Sequence, residues 1–373
     1  MKQILRFIKK ETVLTIAWAA AIISAFFVPP DPGYLDYIDL RSLGILWSLM
    51  VIMEGLKENG FFSRIGSAVL KKTHRAWQLA AVLIFLCFFL SMLITNDVAL
   101  ITFVPFALYM LKQTDREDLL IPVVVLQTIV ANLGSMLTPV GNPQNLYLYG
   151  LSGMSIGAFL RLMLPYSALT LGILIISVCF LKRKNEPIRE VPAEKTAAAK
   201  AAGRNSILYG CLFVLALLVV MRWIPYWILA GAVLVVALWI GRRALISVDY
   251  ALLLTFVGFF IFTGNLGNIP AVRQFLTTMI EGREVITGVI SSQAISNVPA
   301  ALLLSRFTQE YSGLIIGVNL GGLGTLIASM ASLISFKVLA HNYNEKKGRY
   351  LGWFTLMNLI CLGLLLALYY AIR

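Results

Sequence analysis

The sequence predicts an all-α polytopic membrane protein made of two inverted-topology repeats, and three observations predict it. Hydrophobic residues make up 59% of the 373-residue chain and charged residues 13%, against roughly 25% charged in a soluble domain. That leaves too little polar surface to cover a water-soluble globule. Apolar runs of membrane-crossing character recur at Val13–Val28, Trp77–Ile94, Phe159–Leu181, Ile207–Val220, Trp227–Ile240 and Leu351–Ile372. Two polar motifs set in apolar surroundings occur once in each half, in the same order.

Threading starts from the basic stretch Met1–Lys10, which the positive-inside rule places in the cytoplasm, continuous with the first helix and without a cleavable signal. That helix, near Val13–Val28, exits to Pro29–Leu40, which holds Asp31, Asp36 and Asp39 and no basic residue. A second, near Ser42–Leu56, returns to Lys57–Arg75. The segment 77–111 reads as a re-entrant hairpin with its tip at Thr95-Asn96-Asp97. Its second arm, Val98–Leu111, has about 14 residues, short for a hydrocarbon core of roughly 30 Å at about 1.5 Å per residue.

Leu119–Tyr149 then crosses outward with a break at "GSMLTPVGNPQN", Gly134–Asn145. Ile156–Leu181 returns to the most basic loop, Lys182–Arg204, and helices near Ile207–Val220 and Trp227–Ile240 form a pair. Asp249–Thr263 goes out. A second hairpin, about 285–306, enters from outside with its tip at Ser296-Asn297-Val298 and is too short for two spans. Leu314–Leu339 crosses inward, again broken, and Leu351–Ile372 ends outside. Most of the 31 Lys and Arg then face the cytoplasm. The net charge of +13 is explained by topology rather than by a nucleic-acid partner. The division is 1–181 for the first repeat, 182–221 for a cytoplasmic linker and connecting helix, and 222–373 for the second repeat.

The repeat is carried by polar positions. "NLGSMLTPVGN" at Asn132–Asn142 aligns without gaps with "NLGGLGTLIAS" at Asn319–Ser329, and "TNDVALI" at Thr95 aligns with "SNVPAAL" at Ser296. The two copies cross in opposite directions, as in inverted-repeat transporters whose interrupted helices meet near the midplane. Breaking a helix in hydrocarbon frees backbone groups that are tolerated only inside protein or along a polar cavity. Half-helix N-termini there favour an anion, and unwound carbonyls, as around Gly134–Gly141, favour a cation such as sodium. Thr95, Asn96, Ser296, Asn297, Thr138, Asn142, Gln144 and Asn145 supply neutral oxygens and amide donors.

Asp97 is the informative residue. Capping a helix at Val98 is the simple explanation, but Thr alone could cap, and a carboxylate at membrane depth costs several kcal/mol. Asp97 is therefore expected to titrate or to face a cation. Glu54, the other membrane carboxylate, lies near the cytoplasmic end of its helix. The four cysteines, Cys87, Cys179, Cys211 and Cys361, sit in apolar runs without metal spacing and read as small buried hydrophobes. His74 and His341 stand alone in basic loops. One deep carboxylate without a membrane His or an activated nucleophile argues against an intramembrane enzyme.

"LITNDVALITFVP", "GSMLTPVGNPQNLYLYG" and "AISNVPAALLLS" resemble the ion transporter superfamily, in its arsenite-permease and citrate-transporter-like anion permease branch, related to the sodium-dicarboxylate symporters. The resemblance covers nearly the whole chain. It implies a homodimeric elevator in the inner membrane, with a scaffold domain and a mobile domain carrying both hairpins. In the dicarboxylate relatives Ser-Asn-Thr tips bind substrate carboxylate and sodium, which carries by position to Thr95, Asn96, Ser296 and Asn297. The third tip position departs from them, with Asp97 and Val298 where they have Thr, and "GTLIAS" lacks counterparts of Pro139 and Gly141.

The expected function is secondary transport of a small anion coupled to Na+ or H+. Substrate contacts are expected at Thr95, Asn96, Asn142, Ser296, Asn297 and Thr325, and cation coupling at Asp97, Asn96, Gly134, Thr138, Gly141, Asn297 and Gly321. No cofactor or resident metal is expected, with Na+ as the candidate bound ion. The alternatives are a cation/proton antiporter using Asp97 and an arsenite-type efflux permease.

Overall fold

A computed structural model describes residues 11–70, 73–181, 185–188 and 199–372. The basic amino terminus and most of the expected basic linker lie outside the described residues. Within them the chain is helical, and a single antiparallel bridge, Arg75 to Pro187, is its extended contact. Helix α1 spans Thr12–Ala25 and α2 Leu40–Glu58. Asp39 starts α2 by accepting the Ser42 N–H at 3.0 Å. The short amphipathic α3 covers Phe61–Leu70. Then come α4, Ala76–Ser91, and α5, Asn96–Gln113, joined by a tight tip.

Helix α6, Leu120–Ser135, ends at an irregular segment, and the path resumes as α7, Pro143–Ser152. Pro143 sits at the first helical position, where its missing N–H costs nothing, and Asn142 caps by accepting the Asn145 N–H at 2.9 Å. The remaining helices are α8 (Ile156–Cys179), α9 (Ala199–Val220), α10 (Tyr226–Ile240), α11 (Arg243–Ile246), α12 (Tyr250–Gly267) and α13 (Pro270–Ile280). After them α14 (Glu284–Ile295) and α15 (Asn297–Leu304) meet at Ser296. The chain ends with α16 (Tyr311–Leu320), a second irregular segment, α17 (Met330–Asn342) and α18 (Lys347–Ile372).

Among the described residues, five helices are long and apolar enough to cross a membrane: Glu117–Ser135, Ile156–Cys179, Gly203–Val220, Tyr250–Gly267 and Asn344–Ile372. Of these, the first is almost wholly buried, whereas the last exposes most of its apolar surface. Ile176 on α8, Val235 and Trp239 on α10, and Leu359 and Ile360 on α18 are exposed. An apolar exterior around a polar, buried centre suits a polytopic membrane protein.

Two groups of helices pack side by side. In one, α1 lies along α12, tied by Trp18 Nε1 to the Leu254 carbonyl at 3.1 Å and by Asn265 Nδ2 to Ser24 Oγ at 2.9 Å, while α2 packs on α9 and α10. In the other, α6 packs on α4 and α5, α5 on α17, and α14 on α15 and α16. Helices α8 and α18 close over α6.

Three features depart from the sequence expectation. Helix α5 starts at Asn96 and has 18 residues, about 27 Å, rather than starting after the tip. The Asn96 side-chain oxygen accepts the Asp97 N–H at 3.0 Å, so the polar tip residues form the first turn. Length alone therefore does not distinguish this hairpin from two spans. Helices α3 and α13 fall where the sequence predicts loop. And only Cys87 and Cys361 are buried; Cys179 and Cys211 are exposed on the apolar exterior, where a small hydrophobe is equally at home.

The contact between α4 and α6 is close enough to demand glycine. A Cβ on Gly134 would lie 2.4 Å from the Phe88 carbonyl oxygen and 2.4 Å from Ser91 Oγ. Gly134→Ala should lower the thermal midpoint of the purified protein by the equivalent of about 1–3 kcal/mol. Gly172→Ala, where a Cβ meets open space, should not lower it. A tryptophan-fluorescence melt in detergent checks both, and equal midpoints would mean that the two helices are not in close contact.

Candidate functional site

The two tips and the two irregular segments meet in one buried polar cluster. At the first tip the Asn96 N–H donates to the Gly141 carbonyl at 3.1 Å, and at the second the Asn297 N–H donates to the Ala328 carbonyl at 2.9 Å. Gly141 and Ala328 occupy the same column of the gap-free alignment, as do Asn96 and Asn297. Each tip asparagine then turns its side-chain oxygen to the next N–H, Asn96 Oδ1 to Asp97 and Asn297 Oδ1 to Val298, both at 3.0 Å. Each tip thus satisfies one carbonyl freed by the break of its half, and that carbonyl satisfies the first N–H of the tip helix.

A lattice of amides joins the halves. Asn96 Nδ2 donates to Asn132 Oδ1 at 3.0 Å, and Ser329 Oγ donates to the same oxygen at 2.9 Å. In the matching columns, Asn142 Nδ2 donates to Asn319 Oδ1 at 3.1 Å. Asn319 Nδ2 reaches Asn145 Oδ1 at 2.6 Å, and Asn142 also donates to Ser135 Oγ at 3.2 Å. Asn132 Nδ2 donates toward the Gly322 carbonyl at 3.5 Å, and Gly322 packs against the Asn297 amide. A chain of contacts thus runs from one tip to the other. These asparagines and serines are buried, and in a low-dielectric centre a connected network of this kind fixes one arrangement.

Thr95, Asn96, Ser296, Asn297, Asn142, Gly134, Gly141 and Gly321 all lie buried at the tips or breaks. Thr138 is half-buried; its Oγ1 donates to the Met92 carbonyl and accepts the Gly141 N–H at 3.1 Å. Thr325, in the same column, is exposed, and its N–H donates to Gln293 Oε1 at 2.9 Å. A Cβ on Gly321 would lie 2.6 Å from Ser292 Oγ, the counterpart of the approach of Gly134 to Ser91. Glu54 is paired with Lys57 at 2.9 Å and stands outside the cluster.

Asp97 differs from its neighbours. Its Oδ1 is buried and has no hydrogen-bond partner, and Gln144 Oε1 is in the same condition. The hubs of the lattice, Asn132 and Asn319, stand in the sequence as repeat positions but not among the expected site residues. Their identical setting in "NLG" in both halves was the signal that could have found them. Gln293 had no such signal.

The model of the citrate transporter family matches residues 4–313. An uncharacterized transporter of Methanocaldococcus jannaschii is 32% identical over 87% of this chain and 88% of its own length. The inner membrane protein YbiR of Escherichia coli is 30% identical over 84% of each chain. The silicon efflux transporter LSI3 of Oryza sativa is 29% identical over 53% of this chain and 41% of its own length. The family is one of transporters rather than of enzymes. With two motif pairs, a buried polar centre and similarity over most of its length all in agreement, this chain belongs to the citrate transporter family.

Proposed function

We propose that the protein is a secondary active transporter of a small anion in the inner membrane, coupled to H+ or Na+ through Asp97 and working by alternating access. The observation that carries the coupling is the buried, partnerless Asp97 Oδ1 beside a lattice whose other oxygens are largely bonded. A carboxylate in that position calls for a proton or a cation, and a site that gains and loses one as it changes sides is a coupling site. The N-termini of α5 and α15, both at the cluster, are the ends that favour negative charge on a substrate. Thr95, Asn96, Ser296 and Asn297 are the proposed substrate contacts. Asn142 bonds to Ser135, Asn145 and Asn319 and is assigned to shaping the centre.

We read the two halves as an inverted repeat with re-entrant hairpins. Matched columns making matched bonds support this, as do the lengths of α14 and α15, 12 and 8 residues, or about 18 and 12 Å, too short to span. The group of α4–α7 and α14–α17 is the proposed mobile bundle, and that of α1, α2, α9, α10 and α12 the proposed scaffold and dimer-forming part. The amino terminus is assigned to the cytoplasm and the carboxyl terminus to the outside by the charge bias.

A second reading has its own support. Among the described residues no Lys or Arg side chain hydrogen-bonds to a tip or break residue, and a partial relative is a silicon efflux transporter. A centre of amides, hydroxyls and one carboxylate also suits efflux of a small hydroxylated neutral solute against protons, the arsenite-type alternative.

Asp97→Asn keeps the size and shape of this first-turn side chain of α5 and removes its charge. In proteoliposomes supplied with a panel of small anions and neutral oxyacids, this variant should lose the pH or sodium dependence of transport while folding and expression persist. An unchanged dependence would reduce Asp97 to an ordinary first-turn residue of α5 and remove the coupling role.

Topology has a separate test. Cysteines placed at Arg75 and Lys112 in a cysteine-free background should label from the cytoplasmic side, whereas one at Asn96 should label far more slowly than one at Asp36. Free labelling of position 96 from outside would replace the hairpin by two spans.

A further inference from the structure

A sodium ion in a broken helix is held by the carbonyl oxygens that the break releases. In the second break two of those oxygens are already held by one side chain. Gln293, on α14, donates from Nε2 to the Gly321 carbonyl at 2.9 Å, the Leu323 carbonyl at 2.8 Å and the Val289 carbonyl at 3.3 Å. Its Oε1 accepts the Thr325 N–H at 2.9 Å. The loop is closed around this carboxamide. Gly324 has φ of 107°, and a Cβ there would lie 2.4 Å from Gln293 Oε1. A sodium ion does not fit between these carbonyls while the amide nitrogen occupies their centre.

In the first half the residue at the matching place, three before the tip, is Met92, whose thioether has no hydrogen to donate. The task falls there to Asn145, which donates from Nδ2 to the Met136 and Thr138 carbonyls, both at 3.2 Å. Met136 and Leu323 share an alignment column. The same carbonyl is therefore held in both halves by a carboxamide nitrogen, delivered from the following helix in one and from the hairpin in the other.

We propose that Gln293 and Asn145 are built-in neutral substitutes for bound cations, and that Gln293 is the positioning residue that makes the second break independent of sodium. A carboxamide NH2 offers two N–H groups to two carbonyls and adds no net charge. The breaks keep their shape without an ion, and whatever cation dependence the transporter has is left to Asp97. The inference rests on the reading of tips and breaks as the transport centre, but it is tested without substrate.

The experiment compares thermal midpoints of the purified full-length protein in sodium chloride and in choline chloride at equal ionic strength. The wild type should melt at the same temperature in both, or gain from sodium only through Asp97, a gain that Asp97→Asn removes. Gln293→Met, which copies the first half, and Gln293→Glu should melt lower in choline and recover by about 2 °C or more as sodium fills the vacated cage. Gln293→Glu should show the larger recovery because its carboxylate calls for a cation.

Equal losses in both salts for the two variants would make Gln293 an ordinary tie and overturn the proposal. So would saturable stabilisation of the wild type by sodium that persists in Asp97→Asn. Wild-type stabilisation that disappears in Asp97→Asn would locate sodium at the carboxylate and leave the proposal standing. Should Gln293→Glu fail to accumulate, Gln293→Met and Asn145→Ala carry the same comparison.

Discussion

The arrangement of the centre depends on one constraint: a helix broken inside the membrane releases backbone donors and acceptors that no water or lipid can satisfy. The protein meets it by bringing each hairpin tip to the break of its own half. The bonds from Asn96 to Gly141 and from Asn297 to Ala328 are the closures. Each uses the first N–H of a helix, which has no partner within that helix, to satisfy a carbonyl that a continuous helix would have used itself. The close approach this requires explains the small residues along α4, α6, α14 and α16, where the Ser91–Gly134 and Ser292–Gly321 contacts leave no room for a methyl group.

Once the backbone is closed, side chains of low charge can fill the remainder. Asparagine is suited to this because one carboxamide both donates and accepts. The bonds of Ser329 to Asn132 and of Asn142 to Asn319 stitch the halves into one unit. Such a unit sits in a low-dielectric region at little cost, because it carries few ionised groups that would each lose solvation. Asp97 is the exception, and its place at the first tip but not the second, where Val298 stands, makes the two halves chemically unequal despite their matching backbones. Thr138 and Thr325, half-buried and exposed, extend that inequality.

The packing outside the centre follows from composition. Apolar faces on α8, α10 and α18 need no complement from the protein, because lipid solvates them as well as leucine does. Polar side chains at the periphery tie ends together instead. Arg222 donates to the Tyr149 and Gly150 carbonyls near the end of α7, and Arg116 forks onto Asp118 at 2.9 and 2.8 Å while reaching Glu186.

The class of the protein, the positions of both breaks and the pairing of tips were legible in the sequence, because each rests on local information. Hydrophobic runs are set by composition, breaks by Gly, joined by Pro in the first half alone, and repeats by order along the chain. The same local logic failed where a residue's role depends on a distant partner. Asn132 and Asn319 became hubs only because folding brought Ser329 and Asn142 to them, 197 and 177 positions away. Gln293 reads as one of several polar residues in α14 until the Gly321–Thr325 loop is seen wrapped around its amide. The start of α5 at Asn96 was decided by a side-chain oxygen choosing its neighbour's N–H. A hydrogen bond is satisfied by whichever partner the fold presents, so the sequence determined which groups needed partners, and the tertiary structure alone decided which partners they received.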